Sequence, residues 1–340
     1  MKGRQILLDH VGGREAAARM VDGRLDDLLI DGDAPRPGTI YRAVTDRPVK
    51  GQGGVFLTTP DGSAYLRGVK GIDHGETLQV QVTGFAEPGK AIPVTHKLLF
   101  KSRYAIVTPE APGLNISRQI RDDDARDALL ALAHDGMEES AMGLILRSVA
   151  EGADEAAVLE DITAMRDLAE KVTGDQGQGP ETLSDGDGPH VLAWRDWTAP
   201  ADVVTQTGCF ETHGVMEAID AARGAYVPLG GGASAFVEAT RALVAVDVNT
   251  GADGSFAAGL RANLACARAL PAALRVRGMG GQITVDLAPM PKKERRTFEA
   301  ALRKAFKADD VDTVLAGWTP LGHYELQRKR ARIPLTEVLE

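Results

Sequence analysis

Two apolar runs in the C-terminal third of the sequence, ALVAVDVNTG and QITVDLAPM, constrain the fold more than any other feature. The first run carries Asp247 near its end, the second carries Asp286, and a long helical stretch lies between them. A strand, a helix and a second strand at this spacing form a β-α-β unit, whose strands are usually parallel neighbours. The pattern therefore predicts that both carboxylates meet at the carboxyl edge of a sheet, where open α/β sheets bind ligands.

Two carboxylates at one sheet edge repel each other unless a proton or a cation neutralises the pair. Mg²⁺ is the natural candidate, because it takes oxygen ligands, keeps several waters and often binds through one or two carboxylates; Mn²⁺ can substitute. Asn249 points the same way as Asp247 along an extended chain and is predicted to orient that carboxylate. The residues alone leave one alternative open, in which Asp247 and Asp286 merely cap helices.

Composition favours a cytoplasmic globular protein. No apolar run approaches the roughly 20 residues needed to cross a bilayer, and MKGRQILLDH lacks the apolar core of a signal peptide, so no membrane segment is expected. Cys209 and Cys266 form no CxxC motif, which indicates neither a disulfide framework nor a thiolate zinc site. We expect both thiols to be buried.

Charge is distributed unevenly along the chain, although the net charge is −9. Residues 36–103 hold ten Lys/Arg against five Asp/Glu, and residues 291–332 hold eleven against six. Residues 121–190 are acidic, with five Lys/Arg against eighteen Asp/Glu. The two basic stretches suit a polyanion such as a nucleic acid, with solvated surface as the alternative.

The order of patterns predicts an α+β multidomain protein. Short β-rich runs between Thr39 and Phe100, separated by Gly, Pro and Asp, predict a small β-barrel. An α/β region follows, and a stretch rich in Gly, Asp and Pro is interpreted as a linker or mobile loop before the β-α-β pattern that starts near Tyr226. Pro271 is expected to kink or divide the long helix, and Trp194 and Trp197 are expected in the core.

With these segments in view, the sequence resembles the ribonuclease E/G family of bacterial endoribonucleases. The resemblance rests on LVAVDVNTG, ANL at 262–264, LRVRGMGG at 274–281, TVDLAPM and YELQRKR, and looser similarity extends to the N-terminus. It implies a shortened ribonuclease-H-like subdomain in two parts, with its N-terminal strands in residues 1–35 and its remainder in residues 190–225. Between these parts it implies an OB-fold RNA-binding domain at 36–103, inserted ahead of a 5′-end sensor α/β region at 104–175, and then a linker at 176–189. Residues 226–340 are implied to form a C-terminal α/β DNase-I-like catalytic domain.

The resemblance also implies an activity, the magnesium-dependent hydrolysis of single-stranded RNA to a 3′-hydroxyl and a 5′-phosphate. Asp247 and Asp286 match the family's metal-binding aspartates, and Asn249 matches its supporting asparagine. Three further positions, Phe56, Tyr65 and Lys90, match RNA contacts of the OB-fold. The residues alone leave open that the two aromatics belong to the barrel core.

A pocket for a 5′-monophosphate is implied at Arg147 and Ser148, where a guanidinium fork and a hydroxyl suit a terminal phosphate. The alternative for Arg147 is an ion pair within its acidic surroundings. His323 is interpreted as structural, with an approach to the site as the alternative. The basic positions near the C-terminus suit backbone phosphates or exposed surface equally well; they are Arg328, Lys329, Arg330 and Arg332.

Several departures from the family pattern carry their own expectations. The ribonuclease-H-like subdomain is shortened, and Pro289 replaces a carboxylate in DLAPM, which is expected to weaken metal positioning or substrate register. The sequence lacks the cysteine pair that shares a zinc ion between subunits, so a homo-oligomer remains open but a zinc link is not expected. Two other classes of function remain: an RNA-binding regulator with the same fold and weakened cleavage, and a metal-dependent small-molecule phosphoesterase.

Overall fold

A computed structural model of the protein describes residues 3–48, 53–69 and 71–339. The chain divides into two compact units, one formed by Met1–Asp33 and Pro200–Glu340 and the other by Ala34–Ala199. Both units mix helices with sheets. Among the residues described, no helix is both long enough and apolar enough to cross a membrane.

The strands of the described residues are β1 Arg4–Val11, β2 Arg14–Val21, β3 Arg24–Ile30, β4 Ile40–Pro48, β5 Gly54–Thr59, β6 Gly62–Arg67, β7 Thr77–Val82, β8 Ile92–Thr95, β9 Phe100–Lys101, β10 Ala105–Thr108, β11 Leu114–Ile116, β12 Gly143–Leu146, β13 Glu181–Ser184, β14 Asp202–Val204, β15 Tyr226–Gly230, β16 Ala233–Ala239, β17 Val244–Asn249, β18 Gly281–Asp286, β19 Thr313–Trp318 and β20 Tyr324–Arg328. The α-helices are α1 Asp123–Met137, α2 Glu155–Thr173, α3 Pro189–Asp196, α4 Cys209–Thr212, α5 Val215–Arg223, α6 Phe256–Arg277, α7 Arg295–Lys307 and α8 Leu335–Val338.

The second unit contains the predicted small β-barrel. Strands β4, β5, β6, β8 and β7 pair in that order, and pairing between β4 and β7 closes the ring. Closure of five strands is the arrangement of an OB-like barrel. Alternate residues of these strands point inward, so that Val55, Leu57 and Leu66 form the barrel core.

The segment predicted as a linker, 176–189, contains strand β13, which pairs antiparallel with β4. The physical reason involves Arg42, whose guanidinium lies 2.6 Å from Asp175 and also ion-pairs with Glu181. Gly177 lies against the Arg42 side chain, where a Cβ would collide with the guanidinium. Ion pairs therefore hold this segment in a strand although it contains few apolar residues. A search for apolar periodicity does not detect such a strand.

The rest of the second unit is the predicted α/β region. Strands β11, β12, β10 and β9 form a sheet, and α1 and α2 pack on it around a core that includes Leu144 and Ile162. Asp122 and Asp154 cap the two helices by accepting hydrogen bonds from backbone N–H groups. Trp197 is buried as expected, but the core prediction for Trp194 is wrong because the residue is 61% exposed.

The first unit holds two sheets. Strands β1, β2 and β3 form an antiparallel meander at the N-terminus, and β14 pairs parallel with β1. The second sheet has the order β15-β16-β17-β18-β20-β19. Helices α6 and α7 cover one face of this second sheet with a core that includes Val246, Val285 and Phe298. The side chains that alternate with these core residues along each strand therefore point to the other face of the sheet, which is called the open face below.

Helix α6 is the crossover between β17 and β18 and has a defined beginning and end. Ser255 caps its first turn by accepting from the N–H of Ala258, and Gly278 ends it in the left-handed conformation with φ 66°. Pro271 lies within this single helix of 22 residues, so the helix is not divided there.

A buried network of charges ties the C-terminal strand to the rest of the first unit. The side chain of Asp309 is fully buried and ion-pairs with Arg275 and, at 2.5 Å, with Arg328. Arg332 lies 3.3 Å from the buried carboxylate of Asp27. The prediction that Arg328 holds phosphate or remains exposed is therefore wrong, because its side chain is buried in an internal ion pair. Arg332 is partly exposed, so the phosphate and surface alternatives for it stay predictions.

Candidate active site

The two predicted aspartates are direct partners on neighbouring strands. Strands β17 and β18 are parallel, and their register places Asp247 opposite Asp286. Residues opposite each other on adjacent strands point to the same face with their Cβ atoms about 5 Å apart. Both residues lie on the open face, with the Asp286 side chain 67% exposed. The juxtaposition predicted from the β-α-β pattern is confirmed.

Asn249 contacts Asp247 as predicted from the spacing. Its side-chain Nδ2 donates to Asp247 Oδ2 at 2.8 Å. This bond restricts rotation of the carboxylate and leaves its other oxygen available. Within the described ranges, neither Asp247 nor Asp286 forms an ion pair with a lysine or arginine.

His323 also lies at the pair, which is the alternative that the sequence left open. Its Nε2 atom is 3.7 Å from Asp286 Oδ1. The residue stands at the tight turn between β19 and β20, where its N–H donates to Thr319 Oγ1 at 3.1 Å and its carbonyl accepts from the Thr319 N–H at 2.8 Å. The turn thus fixes the backbone of His323 beside Asp286.

The segment after β18 is held by an amide for which the sequence predicted no role. Asn263 is fully buried on α6, donates Nδ2 to the carbonyl of Ala288 at 2.8 Å and accepts from its N–H at 3.0 Å. One turn earlier, Gly259 lies against the carbonyl of Pro289, where a Cβ would collide. An asparagine within an otherwise apolar helix face is the signal that points to this clamp. Asn263 fixes the chain two residues after Asp286.

We expect Asn263→Leu to lower the free energy of unfolding by about 2–3 kcal/mol, because both backbone groups of Ala288 lose their partner in a buried position. Urea unfolding measures this change. Arg268→Leu, at an exposed position of the same helix, is the matched control and should change stability by less than about 0.5 kcal/mol. Equal stability of the Asn263→Leu variant and the control would contradict the clamp.

The donor chemistry of the pair fits a hard divalent cation. The two exposed carboxylates lie in register, and the Asn249 amide orients one of them. Among the described residues, His323 is the one basic side chain close enough to form an ion pair with either carboxylate. In the described part of the chain, no three His, Cys, Asp or Glu side chains group together to hold a metal. Two protein carboxylates with the remaining positions left to water or substrate is a typical Mg²⁺ arrangement.

The predicted aromatic contacts of the barrel lie on its outer surface. Phe56 and Tyr65 are cross-strand partners on β5 and β6, with ring centroids 5.1 Å apart, and both are partly exposed. Their neighbours Val55, Leu57 and Leu66 point into the core instead. The alternative that the two rings form the barrel core is therefore wrong.

Lys90 lies in a turn of the same unit, where its Nζ is 2.5 Å from Glu87. The Lys90 side chain is 66% exposed. An exposed ion pair of this kind contributes little stability.

Arg147 is engaged within its own unit. Its Nη1 donates to the carbonyls of Ser102 at 2.7 Å and Arg195 at 3.0 Å, and its Nη2 donates to Asp196 at 3.1 Å. Burial raises the pKa of the Asp196 carboxyl, but ion pairs with Arg195 and Arg147 outweigh it and hold the pKa below its usual value. The structure thus contains the ion pair that the sequence offered as the alternative. Ser148 follows directly and begins a short 3-10 helix.

Both cysteines are free and buried, as expected. Burial raises the pKa of the Cys209 thiol to about 11 and that of Cys266 to about 12. Neither is a nucleophile at neutral pH.

Comparison with known proteins identifies the family. The ribonuclease E/G family profile matches two segments, residues 100–201 and 198–331, which together span more than half of the chain. The chain belongs to the ribonuclease E/G family.

Relatives within the ribonuclease E/G family align with nearly the whole chain. Ribonuclease G of Salmonella typhimurium (strain SL1344) is 26% identical over 403 residues, covering 98% of this chain and 81% of the relative. Ribonuclease G of Escherichia coli (strain K12) is 25% identical with the same coverage. Ribonuclease E of Nostoc sp. (strain PCC 7120) is 26% identical over 296 residues, covering 75% of this chain and 43% of the relative.

The alignment with the Salmonella ribonuclease G is longer than this chain of 340 residues. The relative therefore contains segments that have no counterpart here. The six-part division of the chain and the DNase-I-like assignment of its C-terminal domain stay predictions.

Proposed function

We propose that the protein is a magnesium-dependent endoribonuclease that cleaves single-stranded RNA in RNA processing or decay. The observation that carries the proposal is the Asp247–Asp286 pair, in register on the open face of a sheet. A pair of neighbouring carboxylates without an arginine or lysine partner among the described residues is costly unless it binds a cation. Membership of the ribonuclease E/G family supports RNA as the substrate.

Asp247 and Asp286 would hold the cation, and Asn249 would keep the Asp247 carboxylate in position. Bound Mg²⁺ supplies activation of water and neutralisation of negative charge on the phosphodiester. Asn263 maintains the backbone that follows Asp286, so the spacing of the two carboxylates does not depend on a loose loop. In-line hydrolysis then leaves a 3′-hydroxyl and a 5′-phosphate.

A preference for single strands is supported by the barrel surface. Phe56 and Tyr65 present partly exposed rings on which unpaired bases can stack, and Lys90 carries a charge that suits the RNA backbone. Such combinations of rings and cations are how OB-folds bind single strands.

Recognition of a 5′-monophosphate at Arg147 and Ser148 belongs to the same proposal. The terminal phosphate would replace Asp196 as the partner of the Arg147 Nη2 group, while the bonds to Ser102 and Arg195 hold the guanidinium in place. A dianionic phosphate competes well with a single carboxylate for a guanidinium fork.

The test uses purified protein and short single-stranded RNAs that carry either a 5′-monophosphate or a 5′-hydroxyl, with Mg²⁺, with Mn²⁺ or with chelator. We expect internal cleavage that requires a divalent cation and is faster for the monophosphate. Arg147→Ala should remove the advantage of the monophosphate and leave cleavage of the 5′-hydroxyl RNA unchanged. RNA binding without cleavage under any of these conditions would indicate an RNA-binding regulator and refute the enzyme.

A further inference from the structure

The row of side chains that carries the aspartate pair extends across two more strands. Strand β16 pairs with β17 so that Phe236 lies opposite Asp247, and β15 pairs with β16 so that Tyr226 lies opposite Phe236. With Asp286 on β18, four strands contribute one residue each to a single cross-strand row on the open face. Two aromatic rings and two carboxylates thus share one line.

The two rings of this row are exposed and paired with each other. Tyr226 is 53% exposed and Phe236 is 38% exposed, and their centroids are 5.7 Å apart in an edge-to-face arrangement. The neighbours of Phe236 along β16, Ala235 and Val237, are buried in the core beneath the sheet. The rings of Tyr226 and Phe236 therefore contribute little to that core.

We propose that Tyr226 and Phe236 form a base-stacking platform that holds an unpaired nucleobase next to the phosphodiester at the Asp247–Asp286 pair. The inference rests on the proposed nuclease function and adds a specificity-determining contact to it. Adjacent strands are about 4.8 Å apart, so the Phe236 backbone lies one strand spacing and that of Tyr226 two spacings from Asp247. This is the scale of a single nucleotide, from its phosphate to its base.

The chemistry of the row favours a nucleic acid over an apolar partner. An aromatic face next to a pair of carboxylates that binds a cation offers stacking to a base and charge to the adjoining phosphate. A purely apolar protein surface would have to cover the exposed Asp247 and Asp286 as well, and desolvating those carboxylates opposes such docking.

The experiment compares Phe236→Leu, Tyr226→Leu and the conservative Phe236→Tyr in steady-state cleavage of single-stranded RNA. Leucine keeps apolar bulk and removes the ring. We expect each leucine variant to lower kcat/KM by about 5- to 100-fold, the effect of losing one base–aromatic stack, while Phe236→Tyr stays close to wild type. Val314→Ala removes a 65% exposed apolar side chain from the edge strand β19 of the same sheet and should change nothing.

A second readout detects stacking directly. In the Asp286→Asn background, short RNAs with 2-aminopurine at successive positions are bound, and fluorescence is recorded. We expect quenching at one position beside the cleavage site that is lost on Phe236→Leu and restored by Phe236→Tyr. Circular dichroism and thermal unfolding verify that the variants are folded.

The outcomes separate the platform from the nuclease itself. If the wild-type protein cleaves RNA and the leucine variants show the same kcat/KM and the same 2-aminopurine quenching as the wild type, the platform is overturned and the nuclease proposal stands. Leucine variants that cleave normally but change the sedimentation of the protein would assign the rings to a protein interface instead. Failure of the wild-type protein to bind or cleave any RNA would overturn both proposals.

Discussion

Asp247→Asn and Asp286→Asn are each expected to lower the rate of RNA cleavage by about 10³-fold, which corresponds to roughly 4 kcal/mol of lost transition-state stabilisation. The amide is nearly isosteric with the carboxylate but is neutral and binds a divalent cation weakly. Because both residues lie on the open face, the fold should tolerate either change.

Cleavage assays at several Mg²⁺ concentrations measure the effect, and isothermal titration of Mn²⁺ into each variant measures the metal affinity separately. Thr284→Val, which lies two residues before Asp286 and is partly buried, is the matched control on the same strand. We expect both aspartate variants to bind Mn²⁺ more weakly and the control to bind it normally. Full activity of either aspartate variant would refute the assignment of the pair.

The second large effect concerns stability and is expected at Asp309. Asp309→Ala should lower the free energy of unfolding by about 3–5 kcal/mol, because it leaves the buried guanidinium groups of Arg275 and Arg328 without that carboxylate. Asp310→Ala is the matched control at the adjacent position. Asp310 is 54% exposed and lies 3.4 Å from Arg19, so its removal should cost less than about 1 kcal/mol.

A double-mutant cycle sharpens this prediction. Replacing Arg328 with Met in the Asp309→Ala background removes one unpaired charge and should recover part of the lost stability. Urea unfolding of the four proteins gives the coupling energy. Additive effects of the two changes would show that Asp309 and Arg328 do not act as a pair.

The sequence was sufficient to predict the central geometry of the site because that geometry follows from a general rule. Two strands joined by one helix are neighbours and parallel, so Asp247 and Asp286 had to meet once both strands were recognised. The short spacing from Asp247 to Asn249 was equally informative, since alternate residues of a strand share a face.

Other contacts were not predictable because they depend on tertiary packing without a local pattern. The basic run that begins at Arg328 looks like a solvated surface, and only the buried carboxylate of Asp309 makes the Arg328 side chain internal. Similarly, Arg42 draws the predicted linker into a strand through Asp175 and Glu181. Trp194 was misplaced because a large apolar residue in a short helix is buried more often than not.

The alternation of buried and outward residues along the strands of the second sheet determines which positions of this protein can change without affecting its core. In β16, β17 and β18, residues of one parity pack against α6 and α7, while residues of the other parity form the open row. A change at Phe236 or Tyr226 leaves the buried positions Val237 and Val246 untouched. Under the proposed nuclease function and stacking platform, substitutions at the outward positions would change which RNA sequences are cut and leave the stability of the domain unaltered. A library confined to those positions would explore specificity on a constant scaffold.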